Sequence, residues 1–326
     1  MHNEKLQDVG EFGLIRRIQR QVGGGDHLVL GIGDDCSIQR QDNSWELLTS
    51  TDLLIEGVHF NRQWISMEEL GRKSAAVNIS DIAAMGGRPK SLFLGVACPG
   101  DIPVDELESF SRGFVAETNA YDAVLAGGDT CRSLGPLMIS VTVQGEVESG
   151  RAIRRDGAEV GDAIYVSGTL GDSALALQQL LAGKQPNRYL LARHNTPTAR
   201  VALGRRLVQE QLASSMLDVS DGILSDLGHI LEASGVGAEI ELARLPLSDE
   251  FRAALQQDGS LLDLALAGGE DYELLLTSPL KNLSEKTLSS VDLTRIGTIC
   301  SQPGLQVKNQ DGSLYRCSRG GFDHFG

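Results

Sequence analysis

Short apolar runs alternate with longer amphipathic segments along the first 150 residues of the chain. From Met67 onward, apolar side chains recur every three or four residues until the pair Gly86 and Gly87, which is typical of an amphipathic helix with a glycine C-cap. The shorter apolar runs end at Gly, Asp or Ser, as buried strands do. The pattern predicts helices over 11–21, 67–85 and 104–121, and strands near 28–32, 47–52, 92–98, 123–126 and 137–147.

The pattern starts again after a polar, glycine-rich stretch at 154–162, which predicts a domain boundary near Gly150. A chain of 326 residues also exceeds the size at which a single hydrophobic core is usual. The second half is predicted to contain strands near 163–167, 238–242, 272–277 and 293–299, and helices over 173–181, 199–211 and 220–234. We therefore expect an α/β (α+β) protein with an N-terminal domain over 1–150 and a C-terminal α/β domain over 151–326.

Composition restricts the class of protein and of partner. A hydrophobic content of 41% and a charged content of 22% are typical of a soluble globular protein, and the net charge of −15 argues against nucleic acid or an anionic membrane as a partner. The N-terminus lacks the apolar core of a signal peptide, so we expect a cytoplasmic protein. The five cysteines are odd in number and far apart, which favours reduced core residues over disulfides or zinc ligands.

Seven aspartates lie in short motifs that are bounded by Gly, Ser or Thr. Most of the motifs adjoin an apolar, strand-like run, and open α/β sheets bind ligands at strand ends. Because Mg²⁺ takes oxygen ligands and leaves positions for substrate phosphates, the set indicates a Mg²⁺-dependent enzyme that acts on phosphates. Each motif taken alone is equally well explained as an ordinary turn or helix cap. The motifs are GIGDD (31–35), STD (50–52), NISD (78–81), GGD (127–129) and DVSDG (218–222).

The usual nucleotide-binding motifs are missing from the sequence. It contains no Walker A sequence, no kinase-type glycine-rich loop and no Rossmann fingerprint. A nucleotide would therefore be held through metal ions, backbone amides of glycine-rich turns and a few arginines. The segment SGTLGDS at 167–173 could cradle a phosphate on its amides, and it is equally well explained as a structural strand-to-helix turn.

An ordered series of motifs resembles one known family. The series is EFGLI, GIGDD, STD followed by EGVHF, AVNISDIAAMGG, GGDT, DVSDGILSDLGHI, GGEDYEL and GFDHFG. It resembles the thiamine-monophosphate kinase family, whose superfamily includes aminoimidazole ribonucleotide synthetase and selenophosphate synthetase. The resemblance covers about residues 11–326, in the same order. It implies ATP-dependent phosphorylation of thiamine monophosphate to thiamine diphosphate, on two domains that each contain a mixed sheet with packed helices, in a homodimer formed through the N-terminal half.

The resemblance also implies which residues form the site, with several Mg²⁺ ions as cofactor and ATP as co-substrate. It implies ATP contacts at Gly128, Asp129, Arg155 and Ser220. It implies contacts to the thiamine phosphate at His59, Glu270 and Phe322, where the phenyl ring is expected to stack on the acceptor. Mg²⁺ ligands are expected at Asp35, Ser50, Thr51, Asp52, Asp81, Asp129, Asp218 and Asp221.

The chemistry of these residue types agrees with direct phosphoryl transfer. Such transfer needs positioning and charge neutralisation more than covalent participation. The acceptor phosphate has a second pKa of about 6, so near neutral pH it is a dianion that needs no general base. We therefore assign no acid, base or nucleophile. Cys36 and Cys131 adjoin two of the motifs and are alternative nucleophiles, although no histidine lies near either one in sequence.

Two of the implied contacts also have structural explanations. His59 is expected to orient substrate, or it is a hydrogen-bonded histidine at the end of a strand. Arg155 has a planar guanidinium that matches a triphosphate, or it is an exposed linker arginine.

Three further acidic residues are expected to support the site rather than to bind directly. Asp34 precedes Asp35 on a predicted strand end, where adjacent side chains point to opposite sides. Asp226 lies on the helix predicted after DVSDG, turned away from the metal-facing side. Asp271 is expected to hold Glu270 through hydrogen bonds within its turn.

Two other functions remain open at this stage. One is another ATP-dependent synthetase of the same superfamily, acting on a purine precursor or on selenide. Selenide is the less favoured substrate because the first cysteine is Cys36, so the chain has no reactive cysteine segment at its N-terminus. The other is a non-catalytic acidic metal-binding or scaffold protein, which would turn over no ATP with a thiamine phosphate.

Overall fold

The computed structural model describes residues 6–22, 25–283 and 292–318. Within these ranges the first half of the chain forms a six-stranded sheet with three helices. The strand order is β1-β2-β3-β6-β4-β5; β4 and β5 are parallel and the other neighbours are antiparallel. The elements are α1 (Leu6–Gln19), β1 (Leu28–Leu30), β2 (Ser37–Arg40), β3 (Trp45–Ile55), α2 (Met67–Ala84), β4 (Arg88–Cys98), α3 (Val104–Ala120), β5 (Val124–Arg132) and β6 (Met138–Glu148).

Helix α2 packs against the first sheet and is the longest helix among the described residues. A capping box fixes its start: the Ser66 side chain accepts from the Glu69 N–H, and the Glu69 carboxylate accepts from the Ser66 N–H. The cap satisfies two N–H groups that the first helical turn leaves without partners. Helix α2 therefore begins at a position that the local sequence defines.

Helices α2 and α3 cross at very short range because each carries a glycine at the contact. A Cβ on Gly71 would lie 2.1 Å from the carbonyl oxygen of Phe110, and a Cβ on Gly113 would lie 1.9 Å from that of Glu68. Any side chain at either position would require the helices to separate. The two glycines therefore set the position of α3 on α2.

The second half forms a seven-stranded sheet with six helices among the described residues. The strand order is β13-β12-β9-β11-β7-β10-β8; β9 and β12 are parallel and the other neighbours are antiparallel. The strands are β7 (Ala163–Ser167), β8 (Ser215–Asp218), β9 (Gly237–Glu241), β10 (Leu274–Ser278), β11 (Leu293–Cys300), β12 (Gly304–Lys308) and β13 (Leu314–Tyr315). The helices are α4 (Asp172–Leu181), α5 (Arg188–Asn195), α6 (Val201–Glu210), α7 (Ile223–Ser234), α8 (Asp249–Leu255) and α9 (Leu262–Ala267).

The centre of the second sheet is buried on both faces. In β7, Ala163 and Tyr165 join the hydrophobic core that contains α2 and α6, whereas Ile164 and Val166 join a second core that contains α7. Alternate residues of a strand point to opposite faces, so both faces are covered. Helix α2 contacts strands of both sheets. The two halves of the chain are therefore joined through a shared hydrophobic core.

The prediction of two mixed sheets with packed helices agrees with this architecture, but the strand predicted near 123–126 continues to Arg132, so the GGD motif lies within β5 and not after it. The short elements β2, α5, α8, α9, β12 and β13 were missed. The helix predicted over 220–234 begins only at Ile223, because Gly222 has a φ of 104°. The strand predicted over 272–277 begins at Leu274, because Tyr272 has a φ of 50°.

None of the five cysteines, all of which lie in the described ranges, forms a disulfide. Cys36 is buried, as a core residue should be, but Cys131 is exposed on β5, so the expectation of core positions is wrong for that residue. Among the described residues, no helix has the length and apolar content that crossing a membrane would require.

Candidate active site

Three of the predicted metal ligands lie together where the two halves of the chain meet. Asp35 follows β1 in a series of bends, Asp81 lies on α2 and Asp218 is the last residue of β8. One carboxylate oxygen from each lies within 4.8 Å of the other two. We call Asp35, Asp81 and Asp218 the acidic cluster. Since its members come from three distant segments, the fold creates this site and no single motif does.

Two serine hydroxyls orient the carboxylates of the acidic cluster. Ser50 Oγ on β3 donates to Asp81 Oδ2 at 2.5 Å, and the Ser80 hydroxyl on α2 donates to Asp218. Ser50 was predicted as a ligand and lies beside the cluster. Ser80 was not predicted, although it directly precedes Asp81 in the NISD motif.

The carboxylates of this region repel one another. Burial, and then the charge of Asp35, raises the pKa of Asp218 to about 7. Burial, and then the charge of Asp52, raises the pKa of Asp81 well above its usual range. Raised carboxylate pKa values mean that the protein itself supplies too little positive charge here.

The donor set of the acidic cluster fits a hard divalent cation. Asp35 Oδ2 is buried and has no hydrogen-bond partner in the described part of the chain. Buried polar atoms are nearly always paired, so this oxygen points to a missing partner. Mg²⁺ prefers carboxylate and hydroxyl oxygens, which Asp35, Asp81, Asp218 and Ser50 provide together.

Arg155 supplies part of the missing positive charge. It begins a 3-10 turn at Arg155–Gly157, between the two sheets. Its guanidinium Nη2 donates to Asp35 Oδ1 at 2.6 Å, and its side chain is only 21% exposed. The alternative of an exposed linker arginine is therefore wrong.

Asp34 does not point away from Asp35 as predicted. Residues 32–36 form bends instead of an extended strand, so the alternation of a strand does not apply. Asp34 Oδ2 accepts from the backbone N–H of Arg155 at 3.0 Å, and Asp34 Oδ1 accepts from the backbone N–H of Asp35 at 3.0 Å. Asp34 therefore fixes the turn that presents Asp35 and Arg155 to each other.

The segment 218–222 links the acidic cluster to the start of α7. The backbone N–H of Asp221 donates to Asp226 Oδ2 at 3.2 Å, which agrees with a supporting role for Asp226. Asp221 itself is not one of the three residues of the cluster. The carbonyl oxygen of Ser220 accepts from the backbone N–H of Glu270 at 2.8 Å. The segment that begins at Asp218 of the acidic cluster is therefore hydrogen-bonded to the GGEDYEL motif.

Glu270 lies in a strained turn and in a charged environment. Its φ of 66° is in the left-handed region, which residues other than glycine seldom adopt. Lys73 Nζ lies 3.0 Å from Glu270 Oε1, and His194 Nδ1 lies 3.3 Å from Glu270 Oε2. Although burial alone would raise the pKa of Glu270, the charge of Lys73 holds it below its ordinary value. Glu270 is therefore an ionised carboxylate.

His59 is hydrogen-bonded to its own turn. Its Nδ1 accepts from the backbone N–H of Ile55 at 3.0 Å, at the end of β3. His59 is close enough to Glu270 to interact with it electrostatically, so the two predicted acceptor contacts lie in the same region of the site.

Asp271 does not hold Glu270 as predicted. Asp271 Oδ2 accepts from the backbone N–H of Gly171 at 2.7 Å, within the SGTLGDS segment. Glu273 lies against the same segment and accepts from Ser167 Oγ at 2.6 Å. Two carboxylates thus occupy the turn that was a candidate phosphate cradle, which favours the structural explanation of that turn.

Gly128 and Asp129 lie on β5, away from the acidic cluster of the same chain. Gly128 has no room for a side chain, because a Cβ there would lie 1.9 Å from the carbonyl oxygen of Leu94. The register runs from Asp129 through β4 and β6 to Leu53 on β3, three strand spacings or roughly 14 Å along an open sheet. Thr51 and Asp52 follow Ser50 on β3 and are exposed.

Comparison with known proteins decides the family. Models of the N-terminal and C-terminal domains of AIR synthase related proteins match residues 33–147 and 159–308. The curated thiamine-monophosphate kinase of Haemophilus influenzae is 40% identical and aligns over 97% of this chain and 98% of its own length. The chain belongs to the thiamine-monophosphate kinase family.

Other relatives in the thiamine-monophosphate kinase family agree. The enzyme of Escherichia coli K12 is 41% identical over 97% of this chain and 98% of its own length. The solved structure of AaThiL complexed with AMPPCP and TMP is 36% identical, covers 99% of this chain and 100% of that chain, and superposes with a TM-score of 0.87. The family resemblance and the two-domain fold class predicted from the motifs are confirmed.

The motifs of the thiamine-monophosphate kinase family did not predict every residue of the site. Lys73 lies seven residues before Ser80, on the same face of α2, and a lysine among apolar positions of a helix was an available signal. His194 gave no such signal, because α5 was not predicted. Phe322 lies outside the described residues, and its contact with the acceptor stays a prediction.

Proposed function

We propose that this protein transfers the γ-phosphoryl group of ATP to thiamine monophosphate and thereby forms thiamine diphosphate. Agreement with curated thiamine-monophosphate kinases over 97% of the chain carries the proposal. The acidic cluster supports it, because an ordered set of carboxylates suits the binding of metal-bridged phosphates. The chain of the AaThiL complex with AMPPCP and TMP is matched in full, which supports ATP as the phosphoryl donor.

Mg²⁺ is the cation proposed for the site. When bound, Mg²⁺ neutralises the charge of the triphosphate and of the transferring phosphoryl group. The buried, unpaired Asp35 Oδ2 and the raised pKa values of Asp81 and Asp218 support this choice. The proposed ligands are Asp35, Ser50, Thr51, Asp52, Asp81, Asp129, Asp218 and Asp221.

Binding of the two substrates is assigned to separate parts of the site. Gly128, Asp129, Arg155 and Ser220 are proposed to contact ATP, with the guanidinium of Arg155 shared between Asp35 and the triphosphate. His59, Glu270 and Phe322 are proposed to contact the acceptor. Domain 1–150 is proposed to bind ATP and Mg²⁺ and to form the dimer, and domain 151–326 is proposed to complete the active site. The enzyme is proposed to be cytoplasmic.

No side chain is proposed to act as base or nucleophile. The acceptor phosphate is already a dianion above its second pKa of about 6, and it attacks with its own oxygen. Burial, and then the charge of Asp81, raises the pKa of the Cys36 thiol well above its usual range, which argues against Cys36 as a thiolate nucleophile.

A homodimer is proposed because the first sheet has uncovered edges. Every residue of β5 is exposed, including the apolar Val124 and Leu125. Strand β2 pairs with β3 only over Glu46–Thr49, so within the described parts of the chain the part of β3 that begins at Ser50 has no neighbouring strand on that side. Pairing β5 of one copy beside this part of β3 in another covers both edges. It also brings Asp129 of one copy towards the acidic cluster of its partner.

Sedimentation velocity tests the homodimer. The wild-type protein should sediment as a dimer, and Leu125→Asp on β5 should shift it to monomers and abolish kinase activity. Leu134→Asp is the control and should stay dimeric and active, because Leu134 lies beyond the end of β5 at Arg132 and takes no part in the proposed strand pairing. A fully active wild-type monomer would exclude the shared site.

Chromatographic detection of thiamine diphosphate tests the reaction. The purified protein with ATP, MgCl₂ and thiamine monophosphate should form thiamine diphosphate and ADP in equal amounts. Thiamine without phosphate should be a very poor acceptor, since the site is proposed to use the phosphate oxygen as nucleophile. Comparable turnover of thiamine would mean a different reaction, and ATP turnover only with a purine precursor or with selenide would mean a different synthetase.

A further inference from the structure

Helix α2 reaches from the first sheet to both functional segments of the second half of the chain. Ser80 binds Asp218 of the acidic cluster, and Lys73, two turns earlier on the same face, binds Glu270. The Lys73 side chain is only 1% exposed, whereas Glu270 is 25% exposed. A buried ammonium is costly unless it has a close anionic partner, so the position of Lys73 is tied to that of Glu270.

The backbone around Glu270 is held in an unfavourable conformation. Glu270 and Tyr272 both have positive φ values, of 66° and 50°. Hydrogen bonds from the Glu270 N–H to the Ser220 carbonyl at 2.8 Å and from the Tyr272 N–H to the Val219 carbonyl at 2.9 Å hold the turn against segment 218–222. Strain of this kind persists where surrounding contacts fix it, and it is common at binding sites.

His194 holds the second oxygen of Glu270. Its Nδ1 lies 3.3 Å from Glu270 Oε2 and 2.9 Å from Ser173 Oγ. Burial, and then the charge of Lys73, lowers the pKa of His194 to about 4, so the ring is neutral near pH 7. A carboxylate oxygen only accepts, so the contact with Glu270 favours the tautomer with the ring proton on Nδ1, where Ser173 Oγ can also accept it. Glu270 thus has a nitrogen of the protein beside each oxygen, and its exposed side remains for a ligand.

We propose that Lys73 and His194 are positioning residues that fix the Glu270 carboxylate for recognition of the acceptor substrate. The proposal rests on the proposed function, in which Glu270 contacts the thiamine phosphate. The acceptor has a positively charged ring and an amino group, both of which suit an oriented carboxylate. With Lys73 and His194 fixed beside its two oxygens, Glu270 presents its exposed side in one direction, and this favours an acceptor of that charge and shape.

Steady-state kinetics of Lys73→Met tests the proposal. The variant should raise KM for thiamine monophosphate by at least about tenfold, because the carboxylate loses a charged hydrogen bond and its orientation, while KM for ATP changes by less than about twofold. The matched control is Arg72→Met, which removes a positive charge from the neighbouring position of α2, where the side chain is 36% exposed and paired at the surface. It should leave both KM values unchanged.

A second pair of variants uses His194. His194→Asn keeps an N–H donor close to the position of Nδ1 and should keep KM for thiamine monophosphate within about threefold of wild type. His194→Leu should raise it by at least about tenfold and leave KM for ATP unchanged. Equal KM values for the Asn and Leu variants would overturn the positioning role of His194.

The outcomes separate this proposal from the proposed function. Absence of thiamine diphosphate formation by the wild-type protein would exclude the function. Normal activity of the wild type together with unchanged KM for thiamine monophosphate in Lys73→Met would overturn the inference alone. If Lys73→Met does not fold, as judged by circular dichroism, isothermal titration of thiamine monophosphate into the two folded His194 variants decides: about tenfold weaker binding by His194→Leu alone supports the proposal, and equal binding overturns it.

Discussion

Asp81 combines a hydrogen bond from Ser50 with repulsion from three neighbouring carboxylates. The repulsion makes the ionised cluster unfavourable in the folded protein, whereas a bound cation would make it favourable. Such residues lower the free energy of unfolding while they serve the activity of the protein. The cluster is therefore a place where a change that improves folding should damage activity.

Asp81→Asn should show both effects. Removing one charge lowers the repulsion with Asp52 and Asp218, so the metal-free variant should melt several degrees above the metal-free wild type by scanning calorimetry. Its kcat should fall at least about a hundredfold, as for loss of one electrostatic stabiliser. Near wild-type kcat in a correctly folded variant would remove Asp81 from the metal site.

His194 should make the stability of the protein depend on pH. Its pKa is about 4 in the folded protein and near 6.5 when exposed, so between these values the unfolded chain binds more protons. Stability from this residue is complete above pH 6.5 and is lost as the pH falls towards 4, up to roughly 3 kcal/mol. Urea unfolding should therefore show that the stability advantage of wild type over His194→Asn shrinks between pH 7 and pH 4.5. A pH-independent difference would contradict the assignment.

At the scale of elements, the contact between α2 and α3 is defined by backbone proximity and not by side-chain volume. Gly71 and Gly113 bring each helix against carbonyl oxygens of the other. Helix–helix contacts that use glycine in this way tolerate very little extra volume, because protein interiors are close-packed.

Gly113→Ala should destabilise the protein by about 1–3 kcal/mol, the usual cost of overpacking, because the added methyl would lie 1.9 Å from the Glu68 carbonyl oxygen. Gly228→Ala on α7 is the control. No atom lies within 4 Å of its added methyl, so helix propensity alone should stabilise the protein by about 0.5–1 kcal/mol. Chemical denaturation of both variants measures the difference, and equal destabilisation would contradict the close-contact explanation.

The success of sequence-based prediction also depended on the element. Helix α2 was predictable because its period, its capping box and its terminal glycines agree with one another. Helix α5 was missed because its eight residues carry little periodic pattern, and His194 was missed with it. The motifs named Asp35, Asp81 and Asp218 as ligands, but their meeting within 4.8 Å depends on long-range packing. The pairing of Lys73 with Glu270 joins residues nearly two hundred positions apart, which no local pattern encodes.

At the scale of the whole molecule, the two halves share a core, so the acidic cluster and Glu270 are held at a fixed separation. A rigid site of this kind suits direct transfer between two bound substrates. An aspartate-rich site could instead form an aspartyl phosphate. Carboxylates that hold metal have their lone pairs occupied, and for this reason we expect direct transfer.

Incubation with ATP labelled at the γ-phosphate, in the absence of acceptor, should therefore leave no covalent label on the protein. Addition of thiamine monophosphate should then transfer the label directly from the bound ATP to thiamine diphosphate. A stoichiometric, hydroxylamine-labile label that moves into product would show a covalent intermediate. One of Asp35, Asp129 or Asp221 would then be the nucleophile.

The function of helix α2 depends on the number of residues between Lys73 and Ser80 as well as on their identity. This one helix carries Lys73, which contacts Glu270, and Ser80, which contacts Asp218. It also carries Asp81, which lies in the acidic cluster. Each helical residue turns the chain by about 100° and advances it by about 1.5 Å. One residue inserted between Lys73 and Ser80 would therefore leave both side chains present but rotate one relative to the other by about 100°, so that they could no longer contact Glu270 and Asp218 at the same time. Every residue from Lys73 to Ser80 is buried, so an insertion in this segment would disturb the packing around the helix as well as the alignment of the two contacts.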